Sequence, residues 1–193
     1  MNTALDARKG SIVTGSLTDV AKRNGHSLAQ TFVNAEVVIL VDTSGSMETH
    51  DSLGGRQRYE VACAELAVLQ EQLPGKIAVL SFSNTAMFCP DGKPYNQGGM
   101  TDLAGALKFA RVADVPGMRF IVISDGEPND ADAALAEAQR YQNRIDVIYV
   151  GPENMPAGRE FLAKLAAASG GHVVTADRAQ NLLGATRKLL EAA

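Results

Sequence analysis

The fold is decided by the stretch VVILVDTSGSM, residues 37–47. Apolar side chains fill positions 37–41, as in a strand that is buried on both faces of a parallel sheet. Asp42 follows where that strand ends, and hydroxyls follow at Ser44 and Ser46. Because α/β sheets bind ligands at the carboxyl ends of their strands, these three side chains supply half of a site for a hard cation. Taken alone, the segment also fits an ordinary turn, since Asp, Ser and Gly all favour turns.

Length and composition indicate one globular domain. The chain has 193 residues, of which 46% are hydrophobic and 21% charged, as in ordinary soluble proteins. Aromatic residues make up 5% and tryptophan is absent, which argues against a base-stacking surface. The net charge of −4 gives no general attraction to nucleic acid or to anionic membranes. We therefore expect neither as a partner.

The expected compartment is the cytoplasm. Residues 1–16 lack the apolar core of a signal peptide, and apolar runs are far shorter than the ~20 residues of a membrane span. The two cysteines, Cys63 and Cys89, fit small buried side chains in a reducing compartment better than a disulfide framework.

Strand-like and helix-like segments alternate from residue 36 onward, which predicts an α/β domain with helices on both faces of a mostly parallel sheet. The predicted strands cover residues 36–41, 76–82, 85–89, 118–124, 145–150 and 172–175. The predicted helices cover residues 56–73, 101–112, 130–142, 159–169 and 178–190. We expect a doubly wound, six-stranded sheet of order 3-2-1-4-5-6, with 85–89 as a short antiparallel edge strand. Residues 1–35 fit this pattern least and are interpreted as an N-terminal extension, packed on the 36–193 domain or partly mobile.

Two further places supply oxygen ligands after strands. Thr101 follows the Gly98-Gly99 loop and opens a helix, and Asp125 ends the fourth strand. In the predicted order the first and fourth strands are neighbours, so Asp42 and Asp125 should lie side by side, with Thr101 brought in from the loop. Two carboxylates and three hydroxyls suit Mg²⁺ or Mn²⁺, and Ca²⁺ less well. These loops carry no cysteine or histidine ligand at the motif positions, which argues against zinc.

Other polar residues near these loops have simpler interpretations. We expect Asp102, Glu48, Asp51 and Glu127 to be helix caps or surface acids. We expect His50 to be a solvated loop residue.

The pattern Asp-x-Ser-x-Ser, then Thr, then Asp resembles the metal-ion-dependent adhesion site of von Willebrand factor A (vWA) domains. Here it reads Asp42, Ser44, Ser46, Thr101 and Asp125, and the resemblance covers residues 36–193. It implies that the hydroxyls bind the ion directly, that the aspartates often bind through water, and that a partner's Asp or Glu takes the last position.

The flanking motifs refine this resemblance. Ser-Gly-Ser-Met and Ser-Asp-Gly-Glu-Pro look most like bacterial intracellular vWA domains. Such domains are often partnered with AAA+ ATPases or belong to stress-response and tellurite-resistance systems. The resemblance therefore implies a protein partner that supplies a carboxylate, with an AAA+ ATPase as one candidate.

We expect a binding module and not an enzyme. The sequence has no Gly-x-Ser-x-Gly elbow, no P-loop and no histidine placed to activate Ser44 or Ser46. One alternative is a Mg²⁺-dependent phosphohydrolase of the haloacid-dehalogenase type, which also has an Asp after its first strand and a later acidic turn. That family needs a second Asp where this chain has Ser44. The other alternative is a scaffold subunit that works without metal.

Overall fold

A computed structural model describes residues 12–126, 128–152, 154, 156–177 and 182–191. The strands are β1 (Val37–Asp42), β2 (Ile77–Phe82), β3 (Ala86–Phe88), β4 (Arg119–Ser124), β5 (Ile145–Tyr149) and β6 (Val173–Thr175). The helices are α1 (Leu17–Asn24), α2 (Leu28–Phe32), α3 (Arg58–Gln72), α4 (Leu103–Ala110), α5 (Ala131–Ala138), α6 (Pro156–Ala168) and α7 (Leu182–Glu191). Short 3₁₀ turns occur at Gly45–Glu48, Leu53–Gly55 and Arg111–Ala113.

The six strands form one sheet in the order β3-β2-β1-β4-β5-β6. All neighbouring pairs are parallel except β2 and β3, which form the antiparallel edge. The predicted fold class and strand order are therefore confirmed. β1 lies at the centre, between β2 and β4, so the carboxyl ends of β1 and β4 lie next to each other.

The central strands are apolar on both faces because each face packs against helices. Val38, Leu40, Phe120 and Val122 lie in one core with residues of α1, α4, α5 and α6. The alternate positions lie in a second core, with residues of α3 and α7; they include Val37, Ile39, Val41, Ile121 and Ile123. Every residue of β1 is buried, including Asp42. A continuous apolar run is what a strand covered on both faces requires.

Most predicted elements are present with shorter ends. The largest difference is in α5, which ends at Ala138 although residues up to 142 were predicted helical. The described part of the last predicted helix begins at Leu182, and residues 178–181 lie outside the described residues. After Ala138 the backbone continues in turns, with the Arg140 and Tyr141 N–H groups bonded to the carbonyls three residues earlier.

Helices α1 and α2 were not predicted from the sequence. Ser16 caps α1 by accepting a hydrogen bond from the Asp19 backbone N–H, and Ser27 forms a capping box with Gln30 at α2. Leu17 is buried in the first core, so α1 contributes to the packing of the sheet. Ser-x-x-Gln before a short apolar segment is the sequence signal that indicates such a start.

Two further features concern the whole chain. Cys63 is half-buried and Cys89 is buried, and neither forms a disulfide. Among the described residues, no helix combines the length and the apolar character that crossing a bilayer would require.

Candidate metal centre

Asp42 lies at the carboxyl end of β1 and is fully buried. Its Oδ1 accepts a hydrogen bond from the Ser44 backbone N–H at 2.8 Å, and its Oδ2 accepts one from Ser124 Oγ at 2.6 Å. Ser124 is the last residue of β4, so the neighbouring strand orients this carboxylate. Both carboxylate oxygens of Asp42 are therefore held by residues at the carboxyl edge of the sheet, since Ser124 ends β4 and Ser44 lies in the loop after β1.

The surroundings of Asp42 make its charge unfavourable. Burial, and in second place the nearby Asp125 carboxylate, raise the pKa of Asp42 to about 6. The hydrogen bonds from Ser124 and Ser44 offset only part of this effect. A carboxylate in this state is stabilised by any added cation, because positive charge compensates what burial and like-charge repulsion cost.

Two hydroxyls link the β1 loop to Asp125. Ser44 Oγ and Ser46 Oγ are 3.1 Å apart, and Ser46 Oγ donates to Asp125 Oδ1 at 2.7 Å. Oxygen ligands of Mg²⁺ lie about 2.1 Å from the ion, so ligands at right angles are about 3.0 Å apart. The observed spacings are close to that value. These contacts are hydrogen bonds, and oxygens at such distances could also serve as neighbouring ligands of one small cation.

The loop that carries Thr101 is attached to the same edge. The Gly99 carbonyl accepts a hydrogen bond from the Gly45 backbone N–H at 3.0 Å. Gly99 has φ of 86°, which a residue with a side chain rarely adopts. Thr101 itself is half-buried, and its backbone exchanges hydrogen bonds with Asn129 in the β4–α5 loop, at 3.1 and 3.0 Å. The structure thus places Thr101 between the loops that follow β1 and β4.

Asp102 and Glu48 have the roles expected of a cap and a surface residue, whereas Asp51 is half-buried and pairs with Arg58. Asp102 caps α4, with Oδ1 accepting from the Gly105 backbone N–H at 2.9 Å. Glu48 is exposed and accepts from Asn96 at 2.9 Å. Glu127 lies outside the described residues. In the part of the chain that is described, no group of three or more His, Cys, Asp or Glu side chains could hold a metal. An ion at this edge would therefore depend on hydroxyl ligands as well as on acids.

Sequence reasoning missed Arg58 as a member of this cluster. Arg58 is the first residue of α3, and its Nη1 donates to Asp125 Oδ2 at 2.6 Å. Its Nε and Nη2 donate to Asp51 Oδ1 and Oδ2, at 2.8 and 2.6 Å. Only 6% of the Arg58 side chain and 1% of the Asp125 side chain are exposed. A cation in the first turn of a helix opposes the helix dipole, and the two acids that bind Arg58 compensate this unfavourable position.

The local geometry therefore joins four of the five predicted site residues through short contacts. Asp42, Ser44, Ser46 and Asp125 are linked through the Ser44 backbone, the two serine hydroxyls and the like-charge interaction of the carboxylates. Thr101 is attached to the β4–α5 loop through Asn129, and Gly99, two residues before it, bonds to Gly45 in the loop after β1.

Solved structures with the same architecture come from distant sequences. An aerotolerance-related membrane protein from Bacteroides fragilis, solved with multiple mutations to serines, superposes with a TM-score of 0.63 at 18% identity, over 82% of this chain and 100% of that chain. The SpRpn10 VWA domain gives a TM-score of 0.58 at 15% identity, over 80% and 94% of the two chains. Manganese-loaded Plasmodium vivax TRAP gives 0.55 at 16% identity, over 81% and 73%.

At these identities the likeness establishes the fold, which is the vWA-type, Rossmann-like α/β fold. No protein-family model matches the sequence, and comparison with curated proteins gives no match.

Proposed function

We propose that this chain, which has the vWA fold, is a non-enzymatic protein-binding module that works through a divalent cation. Mg²⁺ or Mn²⁺ would be held at the carboxyl edge of the sheet and would bind an Asp or Glu side chain of a partner protein. The observation that carries the proposal is the row of oxygens from Ser44 through Ser46 to Asp125, at spacings of 3.1 and 2.7 Å.

The residues proposed to hold the ion are Asp42, Ser44, Ser46, Thr101 and Asp125. When bound, the ion would supply a positive charge that a carboxylate from outside can neutralise. The hydroxyl ligands are neutral, so they leave most of the ion's charge available. That one structural neighbour is described as manganese-loaded supports a divalent ion in this fold.

Arg58 adds to the case for an outside carboxylate. It donates to Asp125 at 2.6 Å and thereby neutralises one of the two acids at the site. Of the two acids, Asp42 is the one that forms no ion pair with another described residue. Asp42 alone compensates only part of the charge of a divalent ion, so a bound ion would favour an additional anionic ligand.

The serine environment supports binding over hydrolysis. Serine nucleophiles are commonly activated by a histidine or lysine base in hydrogen-bond reach. Ser44 instead contacts Ser46, and Ser46 donates to Asp125, a carboxylate whose other oxygen is already bound by Arg58. The ring nitrogens of exposed His50 face the Gly55 carbonyl and Gln57, each at 3.3 Å. A phosphohydrolase of the haloacid-dehalogenase type would need an acid at position 44. These contacts favour a module that holds an ion over one that cleaves a phosphate ester.

The partner is proposed from the motifs that flank the site. Ser44-Gly45-Ser46-Met47 and Ser124-Asp125-Gly126 suggest a cytoplasmic bacterial system, and an AAA+ ATPase of a stress-response pathway is our first candidate. The test is a pull-down from native cell extract with and without chelator. The proposal expects capture of a partner that requires divalent ion and that is lost with Ser44→Ala.

Direct ion binding provides the second test. We expect millimolar Mg²⁺ or Mn²⁺ to raise the melting temperature, because a ligand that binds only the native state stabilises it. Thr101→Ala should abolish the rise. Thr85→Ala removes a hydroxyl from an exposed residue and is the matched control. Metal-independent capture of the partner by Thr101→Ala would instead support a scaffold. Mg²⁺-dependent phosphatase turnover that Asp42→Asn abolishes would refute the binding-module proposal.

A further inference from the structure

Arg58 is placed where a divalent cation would have to compete with it. Its Nη1 lies 2.6 Å from Asp125 Oδ2, while Asp125 Oδ1 accepts from Ser46 Oγ at 2.7 Å. Both oxygens of this carboxylate are therefore engaged by donors. An ion that takes Asp125 as a ligand, directly or through water, must share the carboxylate with the guanidinium.

The guanidinium has a second acid that it can keep. Asp51 binds it with two parallel hydrogen bonds, Nε to Oδ1 at 2.8 Å and Nη2 to Oδ2 at 2.6 Å. Paired bonds of this kind fix the plane of an arginine and are among the strongest it makes. Arg58 can thus give up its single bond to Asp125 while it remains held by Asp51.

We propose that Arg58 is an internal competitor for the ion, which sets the affinity of the site by pairing with Asp125, and that Asp51 draws it away. This inference rests on the proposed ion site and concerns its regulation. It assigns a role to two residues outside the Asp-Ser-Ser-Thr-Asp motif. The consequence is that changes at Arg58 and Asp51 should shift ion affinity in opposite directions.

The physical basis is electrostatic. The Arg58 charge is almost completely shielded from water, since 6% of its side chain is exposed, so its repulsion of a second cation is weakly screened. Asp51 is more exposed, at 29%, and offsets part of that repulsion. Replacing Arg58 removes both the repulsion and the competition for Asp125. Replacing Asp51 leaves Arg58 with Asp125 as its remaining acid.

The experiment is calorimetric titration of the full chain with Mn²⁺ alone, at pH 8 and low salt. We expect Arg58→Met to bind the ion roughly tenfold more tightly than wild type, and Asp51→Asn to bind it roughly threefold more weakly. Arg56→Met is the matched control, because its side chain is 49% exposed and pairs only loosely with Glu60 at 3.8 Å. It should leave the affinity within about twofold of wild type.

A double variant separates competition from a simple loss of negative charge. If Asp51 acts through Arg58, then adding Asp51→Asn to Arg58→Met should change the affinity much less than it does in the wild type. An equal effect in both backgrounds would overturn the role of Asp51. Arg58→Gln removes the positive charge but keeps an amide that can donate to Asp125, so it should also bind Mn²⁺ more tightly than wild type. It serves as the second variant if Arg58→Met does not fold.

The outcomes distinguish this inference from the proposed function. If wild type binds Mn²⁺ and both Arg58 variants bind it no more tightly, Arg58 is not a competitor and the ion site stands. If the Arg58 variants bind more weakly, Arg58 positions Asp125 for the ion and the inference is wrong. If no protein binds Mn²⁺, wild type and variants alike, the ion site itself is refuted.

Discussion

Replacing Asp42 by Asn should make the protein more stable at neutral pH when divalent ions are chelated. Asn is nearly the same size and can keep both local contacts, by accepting from the Ser44 N–H and donating to Ser124 Oγ. What changes is the charge. In wild type that charge is fully buried and lies near Asp125, and these two effects raise the pKa of Asp42 from 3.8 to about 6.

The magnitude and the pH window follow from this shift. A difference of about two units between the folded and unfolded pKa corresponds to about 3 kcal/mol. Below pH 3.8 the carboxyl is protonated in both states and contributes no pH dependence. As the pH rises toward about 6, the unfolded state ionises first and wild type loses stability. Above about pH 6 wild type has lost the full amount of stability, whereas Asp42→Asn, which has no charge at this position, loses none through it.

Urea unfolding at several pH values between 4 and 7.5, with chelator present, measures the effect. The free energy of unfolding of Asp42→Asn minus that of wild type should rise by about 2 to 3 kcal/mol across this range. Taking the change across pH removes any constant difference in hydrogen bonding between Asn and protonated Asp. A difference that stays flat with pH would refute the argument from burial and repulsion.

Asp125→Asn is the matched control. It removes the same charge from the same edge of the sheet, but it breaks the buried pair with Arg58, so it should destabilise the protein at pH 7.5.

When excess Mg²⁺ replaces the chelator, wild type should gain stability relative to Asp42→Asn, because the ion stabilises only the protein that binds it.

Three further predictions concern the framework of the site. Leu66→Ala should lower the free energy of unfolding by about 2–5 kcal/mol, because Leu66 is 1% exposed in the second core; a loss under 1 kcal/mol in urea would contradict this packing. Asp102→Ala should cost about 1 kcal/mol in the same assay through loss of the α4 cap, whereas Asp102→Asn should retain most of it. Gly99→Ala should weaken Mn²⁺ binding, since φ is 86° and the new Cβ would lie 2.9 Å from Asn84 Nδ2. An unchanged affinity would show that ion binding does not depend on the conformation of this loop.

The central sheet could be predicted because its local and global signals agree. Continuous apolar runs such as 37–41 and 120–123 fit strands covered on both faces, and the segments between them have helical spacing. Once the strand order is known, adjacency of β1 and β4 brings Asp42 and Asp125 together without any side-chain detail. The short helices α1 and α2 could have been found only from their serine caps, because five to eight residues carry too little periodicity to indicate a helix.

Arg58 could not be placed from the sequence because Asp125, the site residue that it binds, is far from it along the chain. Asp125 is 67 positions away, and Asp51 lies in the preceding loop. In the sequence Arg58 is one of several charges near the motif and is indistinguishable in type from exposed Arg56. Only the position of α3 relative to the end of β4 shows which arginine points inward. Asp42 and Asp125 could be placed because each follows the end of a parallel strand, whereas Arg58 follows no such rule.

The two aspartates of the candidate site differ in how the fold compensates their charges. Asp125 is neutralised by Arg58 from within the fold, whereas the donors to Asp42 among the described residues are neutral, Ser124 Oγ and the Ser44 N–H. If both acids had internal cations, the edge would be a closed ion-pair network with no need of metal. If neither had one, two buried like charges would raise the cost of folding well beyond that of Asp42 alone. With one acid compensated and the other not, we expect the fold to form without an ion and to gain stability when a cation binds at this edge.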